Sequence, residues 1–581
     1  MVKRGQKFKI GDVTMSDGNY KKAVEEADKI EENIISVLAS GKNFRVEAGA
    51  GSGKTYSLLR VIEWLEKNKW SHFKKNHQQV ACLTYTNTAV DVIANRLNTN
   101  SFIIPCTIHS FAWEAIKQYQ KFLISHIRTT SEFQLENTEI KEIQYNLGYR
   151  YVEDGVLYLY HNDVINLFVR LLDEAKFRRI FASKYPLILI DEYQDSFKII
   201  IDKFKDYFIS PGTLPQFGFF GDSWQTIYQS NNPCGIIEDN NIIEIKKVSN
   251  FRSAPYIVNL LNKIRPDLPQ ISAIDSTLGE IIVVHNNDFC GERRNEKNFK
   301  GDLPIDELKK RINTLENIFC TSGTSKTLMI THRILSEQQG YEDILKSVGD
   351  KFKEKDEDIL LFVSEIAEPL YTALNNKDMK LLFQVLGVRH YPINKKSEKQ
   401  QWLDLYSKLS LARNGKIIDV MSCIMESKLI PVPDKILNYY KLYKKGSDID
   451  YLKTTLRAYL NIKYSQFIAA VDFFLPESQY STSHGVKGEE YDNVIFVVGK
   501  GWNNYQFDKF MPMSNTRILP EYKEAFIRNR NLFYVCCSRP KNKLLIFVSL
   551  KVDNSFEEYL RNLVGNENYY SFSEFIKKYS T

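Results

Sequence analysis

Apolar residues gather in strand-sized runs along the chain, and several of these runs end in polar or glycine-rich loops. Residues 44–47 alternate apolar and polar side chains and lead into glycines; residues 185–190 are apolar except for Pro186; residues 217–220 read as another strand. Further runs occupy Glu280–His285, a stretch ending at Thr331, His332 and Arg333, and residues 493–499 and 543–550. Between them the spacing becomes helical, over residues 56–67, at Val164, Leu167, Val169 and Leu172, after Ala254, and across residues 336–465. Short strands alternating with helical segments predict an α/β chain of parallel sheets flanked by helices.

At 581 residues the chain exceeds what one hydrophobic core organises, so several domains are expected. Hydrophobic residues at 43% and charged residues at 26% are ordinary globular usage and exclude a disordered or fibrous chain. The net charge of +7 permits a polyanionic partner without demanding one. No apolar run approaches the roughly 18 residues that span a bilayer, and Lys3, Arg4 and Lys7 precede no apolar signal segment. The expectation is a soluble, cytoplasmic protein without membrane contact. Of the eight cysteines only Cys536 and Cys537 are close, and no CxxC spacing exists, so they are expected to be reduced core residues.

The most informative stretch follows the first strand. Ala48, Gly49, Ala50, Gly51, Ser52, Gly53, Lys54 and Thr55 form a glycine-rich loop ahead of a helix, which is the strand, phosphate loop and helix order of a nucleotide site. Its glycines let backbone N–H groups curl around a phosphate at a helix N-terminus, Lys54 reaches the β and γ oxygens, and Thr55 offers a hydroxyl to Mg²⁺. Ala48 stands where the G-x-x-x-x-G-K-T pattern begins with glycine. Asp191 and Glu192 follow the apolar run 185–190, at the edge where buried parallel strands bind ligands. Asp191 is placed to hold Mg²⁺ and Glu192 to orient and deprotonate the attacking water.

With these two motifs in place the chain resembles, across nearly its whole length and in order, superfamily 1 helicases of the UvrD/Rep type. The resemblance implies two RecA-like P-loop motor domains, each with a mainly helical insertion, using ATP and Mg²⁺ and binding single-stranded or partly duplex DNA. Residues 80–90, with Thr84, Thr86 and Asn87, and residues 107–111, with His109, Ser110 and Phe111, match the segments that grip the single strand. Residues 217–228 match the coupling motif G-D-x-x-Q-x-I-Y, so Gln225 is expected to sense the γ-phosphate and Tyr228 to lie near DNA. Arg252, in a match to N-Y-R-S, and Arg539, in a match to L-x-Y-V-A-x-T-R-A, become the two arginines that clamp the transferring phosphate. Residues 481–495 match T-x-H-x-x-K-G-L-E-F, which directs Thr482, His484 and Lys487 to DNA or the cleft and Glu490 to the ribose; Glu489 replaces an apolar residue of that pattern.

Two departures stand out. The adenine-reading glutamine of the family is missing from residues 30–33, where Asn33 is the available substitute, and Gln229, Ser230 and Asn231 replace the aromatic-Arg-Gly that normally follows Tyr228. The expected layout places a first motor domain at residues 1–115 and 182–253 with an insertion at 116–181, and a second at 254–335 and 469–581 with an insertion at 336–468. Residues 292–297 are expected to be a polar loop and 351–358 a solvated charged face. After Arg539 one strand and a helical tail are expected, with no nuclease signature.

Two functions fit these residues. One is an ATP-driven DNA helicase or translocase, 3′ to 5′ by resemblance. The other is a DNA-sensing ATPase that regulates a partner nuclease, since the layout also resembles stand-alone UvrD-like subunits of prokaryotic anti-phage systems such as the Gabija type. A degenerate scaffold is disfavoured because Lys54, Asp191, Glu192, Gln225, Arg252 and Arg539 are all present. Backbone gripping and stacking serve DNA and RNA alike, so the residues leave that choice open.

Overall fold

The computed structural model describes residues 18–98, 100–129, 139–145, 150–228, 232–296, 299–330, 332–349, 357–388, 396–444, 451–475, 478–500 and 504–580. The basic residues Lys3, Arg4 and Lys7, the substitutions at Gln229, Ser230 and Asn231, Lys297, Thr331 and most of the 351–358 charge run lie outside the described residues.

The predicted α/β architecture is observed, as two parallel sheets. Along the chain come β1 (Asn43–Ala48), β2 (Val80–Thr84) and β3 (Ile103–Thr107), three short strands β4 (Glu142–Tyr145), β5 (Tyr151–Glu153) and β6 (Val156–Leu159), then β7 (Leu187–Asp191), β8 (Gln216–Gly221) and β9 (Ile242–Lys247). The first sheet runs in the order β3-β2-β7-β8-β1-β9 with every pairing parallel. β1, β2 and β7 are buried at every position, as strands covered on both faces must be. The covering helices are α1 (Gly18–Ala39), α2 (Lys54–Lys75), α3 (Asn87–Ala94), α4 (Ile108–Ile116), α5 (Gln120–Thr129), α6 (His161–Leu172), α7 (Ala175–Lys184) and α8 (Lys198–Phe204). Leu58, Ile62 and Leu65 of α2 pack on one face with Phe44, Val80 and Leu189. Phe111, Phe168 and Phe181 pack on the other with Ile188 and Phe217.

A two-stranded link, β10 (Ser249–Asn250) with β11 (Ile271–Ser272), flanks α9 (Pro255–Ile264). The second sheet contains β12 (Glu280–His285), β13 (Ser325–Met329), β14 (Tyr480–Thr482), β15 (Tyr491–Val498), β16 (Pro540–Val548) and β17 (Tyr569–Ser571) in the order β14-β13-β15-β16-β12-β17, again parallel throughout. β12 lies second from its edge, as β1 does in the first sheet. It is followed by Asn286, Asn287 and Asp288 rather than glycines, so the phosphate loop belongs to the first sheet alone.

Several expectations need correction. The helical reading of residues 116–181 missed the small sheet β4-β6-β5, because strands of three or four residues carry too little periodicity to register. β7 starts one residue past Pro186, which has no N–H for the ladder. β13 stops at Met329, and Arg333 belongs to the helix His332–Gln339. The tail after β16 includes β17, which closes the sheet edge beside β12. Helices between Tyr341 and Val471 enclose their own core, with Ile359, Leu409, Met421 and Phe467 buried in it. Among the described residues no helix is long and apolar enough to cross a membrane.

Candidate functional site

The C-terminal ends of β1, β7 and β8 converge on one cleft, and the second sheet's segments close it from the other side. β1 ends in the buried Ala48, whose methyl joins the core behind the loop, so alanine replaces the expected glycine without strain. Gly51 at φ +72° and Gly53 at φ +77° make the left-handed turns that curl the loop. The Ser52 hydroxyl donates to Gly49 O at 2.8 Å, and α2 begins at Lys54 and Thr55. The Ala50 N–H donates to the hydroxyl of Tyr534, 3.0 Å away on the helix Lys523–Cys537, which ties the phosphate loop to the second sheet's side.

Asp191 ends β7 and Glu192 follows with φ +48°, a conformation that turns its carboxylate across the strand ends. Burial, then the charge of Glu192, raises the Asp191 pKa, with Lys54 opposing. For Glu192, burial acts upward but is outweighed by Lys54, Lys487 and a hydrogen bond from Gln194, and the net shift is downward. Glu192 is thus the member of the pair kept as a carboxylate. Thr55 and Asp191 also fit Mg²⁺ chemically, offering hard oxygen donors at the start of α2 and the end of β7.

β8 delivers Asp222, Trp224 and Gln225. Gln225 donates to Asp222 Oδ2 at 2.7 Å and accepts from Arg539 at 3.3 Å, so it bridges the two sides. Arg539 is 1% exposed, and among the described residues its hydrogen-bond partners are neutral, namely Gln225 Oε1, Ser538 Oγ and backbone carbonyls. Burial and the nearby Arg252 lower its pKa to about 10. A guanidinium buried without a carboxylate partner is suited to receive an anion. Arg252 donates to Glu490 Oε2 at 2.8 Å and to Ser538 O at 3.2 Å. Glu490 also pairs with Lys541 at 2.9 Å, so a ribose contact requires that cluster to open.

The strand-gripping candidates divide. Thr86 and Asn87 are exposed at the start of α3 and Ser110 at the start of α4, with His109 half-buried beside them. Tyr228 donates to His484 O at 3.1 Å and stacks with Tyr85 at a centroid distance of 6.0 Å. His484 bonds Tyr505 at 2.7 Å, and Lys487 pairs with Asp195 and donates to Gln225 O at 2.6 Å, which places Lys487 in the cleft. Three candidates turn inward. Phe111 is on the apolar face of α4 and packs against Phe168, Phe181 and Tyr185, so it is core rather than a strand contact. Thr84 is 3% exposed and donates to Thr86 O, and Thr482 is 7% exposed and caps the turn at Gly485.

Sequence reasoning missed several site residues. Arg265, buried at the end of α9, donates to Asp222 Oδ1 at 2.5 Å and to Glu47 Oε1 at 2.7 Å, and no motif marks it. Asn250 and Gln270 donate to Ala50 O at 2.8 and 3.0 Å, holding the loop from β10 and from beside β11. Asn33, the proposed adenine reader, is exposed on α1, whereas Glu31 turns inward to Ser57 and Lys247. Tyr56 and Phe251 are exposed aromatics beside the loop, at 59% and 44%, available to a nucleobase.

Fold and site together are similar to those of UvrD-like proteins of the helicase type. The family described as AAA domain matches residues 31–231, which span the phosphate loop, the Asp191–Glu192 pair and the coupling loop. The particular likeness is to Gabija protein GajB of Bacillus cereus. Relatives of that name from strains HuB5-5 and VD045 are each 23% identical, in alignments covering 93% and 91% of this chain and 98% and 97% of theirs. The mitochondrial ATP-dependent DNA helicase HMI1 of Saccharomyces cerevisiae is 23% identical over 52% of this chain and 49% of its own.

Proposed function

We propose that the chain is a DNA-dependent ATPase that couples hydrolysis to movement along single-stranded DNA, as a helicase or translocase stepping 3′ to 5′. The observation that carries this reading is the loop from Asp222 to Tyr228. Its first half touches the nucleotide side through Asp222 and Gln225, its end meets Tyr85 and His484, and Arg539 and Lys487 grip it from the second sheet. One loop shared by two ligand sites and two lobes converts a shift at one into a shift at the other. In the closed cleft Lys54 and the loop amides hold the phosphates, Glu192 takes the proton of the attacking water, and Arg252 and Arg539 face the transferring phosphoryl group. Mg²⁺ held by Thr55 and Asp191 would neutralise phosphate charge.

A second reading is favoured by the likeness to Gabija protein GajB over nearly the full length of both chains. In it the ATP cycle senses DNA and regulates a partner nuclease in anti-phage defence, without processive unwinding. One measurement tests the site both readings share, and a second separates them. Lys54→Ala is expected to abolish DNA-stimulated ATP hydrolysis, and retained hydrolysis would remove the site assignment. A strand-displacement assay then divides motor from sensor, because hydrolysis without displacement favours the sensor.

A further inference from the structure

The loop that leaves β8 belongs to the first sheet by connectivity and to the second by packing. Its apolar side chains Trp224, Ile227 and Tyr228 join the hydrophobic core that contains Leu260 and Leu261 of α9, Val283 of β12 and Tyr534. Trp224 stands at an open position of the G-D-x-x-Q-x-I-Y pattern, so the motif gives no reason for an indole there.

Two guanidiniums approach that indole. The Arg530 guanidinium carbon is 3.6 Å from the ring centroid and that of Arg265 is 5.3 Å away, while Tyr534 meets the ring edge-on at 5.8 Å. Arg265 follows α9 and Arg530 lies on the helix Lys523–Cys537, so both come from the second sheet's side and neither falls within a quoted motif. Their circumstances differ. Arg265 is paired with Asp222 and Glu47. Arg530 is half-buried, and among the described residues it hydrogen-bonds only Asn531 Oδ1 and pairs with no carboxylate. Burial, its largest influence, pushes its pKa down to about 10. A desolvated guanidinium without an anion is stabilised by the negative face of an aromatic ring, and tryptophan offers the strongest such face. An ordinary boundary aromatic would need only apolar neighbours.

The indole is also short of slack. Trp224 N–H donates to Asp222 Oδ1 at 3.1 Å, the oxygen that accepts from Arg265, and the next residue is Gln225, which bridges Asp222 and Arg539. We infer that Trp224 is a positioning residue, whose ring, held on Arg530, keeps Gln225 in register with Asp222 and Arg539. It acts through Gln225 rather than on the phosphate. The inference rests on the ATPase reading above and adds to it a contact that no motif marks.

The test measures ATP hydrolysis by the full chain at saturating oligonucleotide for Trp224→Ala, Trp224→Phe, Arg530→Met and the double variant Trp224→Ala/Arg530→Met. Trp224→Ala and Arg530→Met should each lower kcat about tenfold and change the KM for ATP by about twofold or less. Phenylalanine keeps a π face and should recover most of the loss. The double variant should be about as slow as either single one, the non-additivity of one shared contact. Wild-type kcat in Trp224→Ala, or a double loss equal to the product of the single losses, overturns the positioning role and leaves the ATPase reading intact. Absence of hydrolysis by the wild-type chain removes both. Should Trp224→Ala fail to fold, Arg530→Met decides, since wild-type kcat in that variant also overturns the inference.

Discussion

Arg265→Met tests whether the buried triad beneath the coupling loop holds the site together. Arg265 is 2% exposed and lies near the rings of Trp224 and Tyr534, at 5.3 and 5.7 Å, while donating to Asp222 and Glu47. Both carboxylates are themselves buried, at 0% and 4% side-chain exposure. Methionine preserves the apolar stem and removes the charge, leaving buried Asp222 without its paired cation and Glu47 with Arg45 alone, at 3.9 Å. Removing one partner from a buried ion pair costs about 3–5 kcal/mol. At roughly 2–4 °C per kcal/mol for a cooperative unit of 150–250 residues, the midpoint should fall by on the order of 10 °C. Thermal unfolding followed by tryptophan fluorescence at pH 7.5 and pH 5 reads it. The pH dependence has a definite sign. Burial pulls the Asp222 pKa upward, but Arg265 and Lys54 outweigh it, so the folded value lies below the ordinary one. Such a group contributes stability above its unfolded pKa of about 3.9 and loses it as the pH falls through the folded value. Without Arg265 the burial penalty prevails and protonation relieves it, so the variant's deficit shrinks from pH 7.5 to pH 5. A midpoint change of less than about 2 °C, or a deficit equal at both pH values, refutes the reasoning.

Glu192→Gln keeps the shape of the side chain and removes the base, so turnover should fall by about 10² to 10⁴ while ATP binding persists. Turnover measured beside equilibrium nucleotide binding checks this, and unchanged turnover would exclude Glu192 as the base. Arg539→Ala should lower kcat by about 10³ or more with a smaller change in KM, because the guanidinium acts on charge that develops during transfer. Arg539→Lys should restore little, since lysine lacks the planar fork that spans Gln225 Oε1 and the backbone carbonyls. Equal kcat in both variants and wild type would place Arg539 outside the chemistry.

The two-sheet α/β architecture was legible in the sequence because the informative elements are long and locally encoded. A phosphate loop announces itself through glycine and lysine spacing, and β7 through an unbroken apolar run ending in two carboxylates. Arg265, Asn250, Gln270 and Tyr534 were not legible as parts of the phosphate-loop site. Each reaches its partner across a separation the chain does not advertise, 484 positions in the case of Tyr534 and Ala50. Phe111 illustrates the opposite failure. Its motif context suggested a strand contact, but the spacing of Ile108, Phe111, Ala112 and Ala115 turns that face of α4 into the core. Tyr145 belongs to a strand of four residues, too short for periodicity to reveal, although it lines a cavity beside Asp191 and Glu192.

The substitutions after Tyr228 raised the question of what replaces the lost aromatic, and the first sheet supplies an answer. Tyr85 follows β2, is 41% exposed, and lies nearly parallel to Tyr228 with an interplanar angle of 10°. On the proposed DNA-binding reading, two parallel rings would give a base a stacking surface worth about 1–3 kcal/mol without an aromatic in the positions after Tyr228. The position of this pair matters as much as its strength. Tyr228 is fixed at its hydroxyl by His484 O, and Lys487, three residues on, is bound to both Asp195 and the Gln225 carbonyl. A displacement of the second sheet's 484–487 turn therefore moves the Tyr228 ring, Asp195 and the Gln225 carbonyl together. On the proposed DNA-dependent ATPase reading, that shared attachment makes coupling between strand and nucleotide a property of this turn, while whether the coupled motion separates a duplex or only reports a strand is set by what the motion is linked to beyond it.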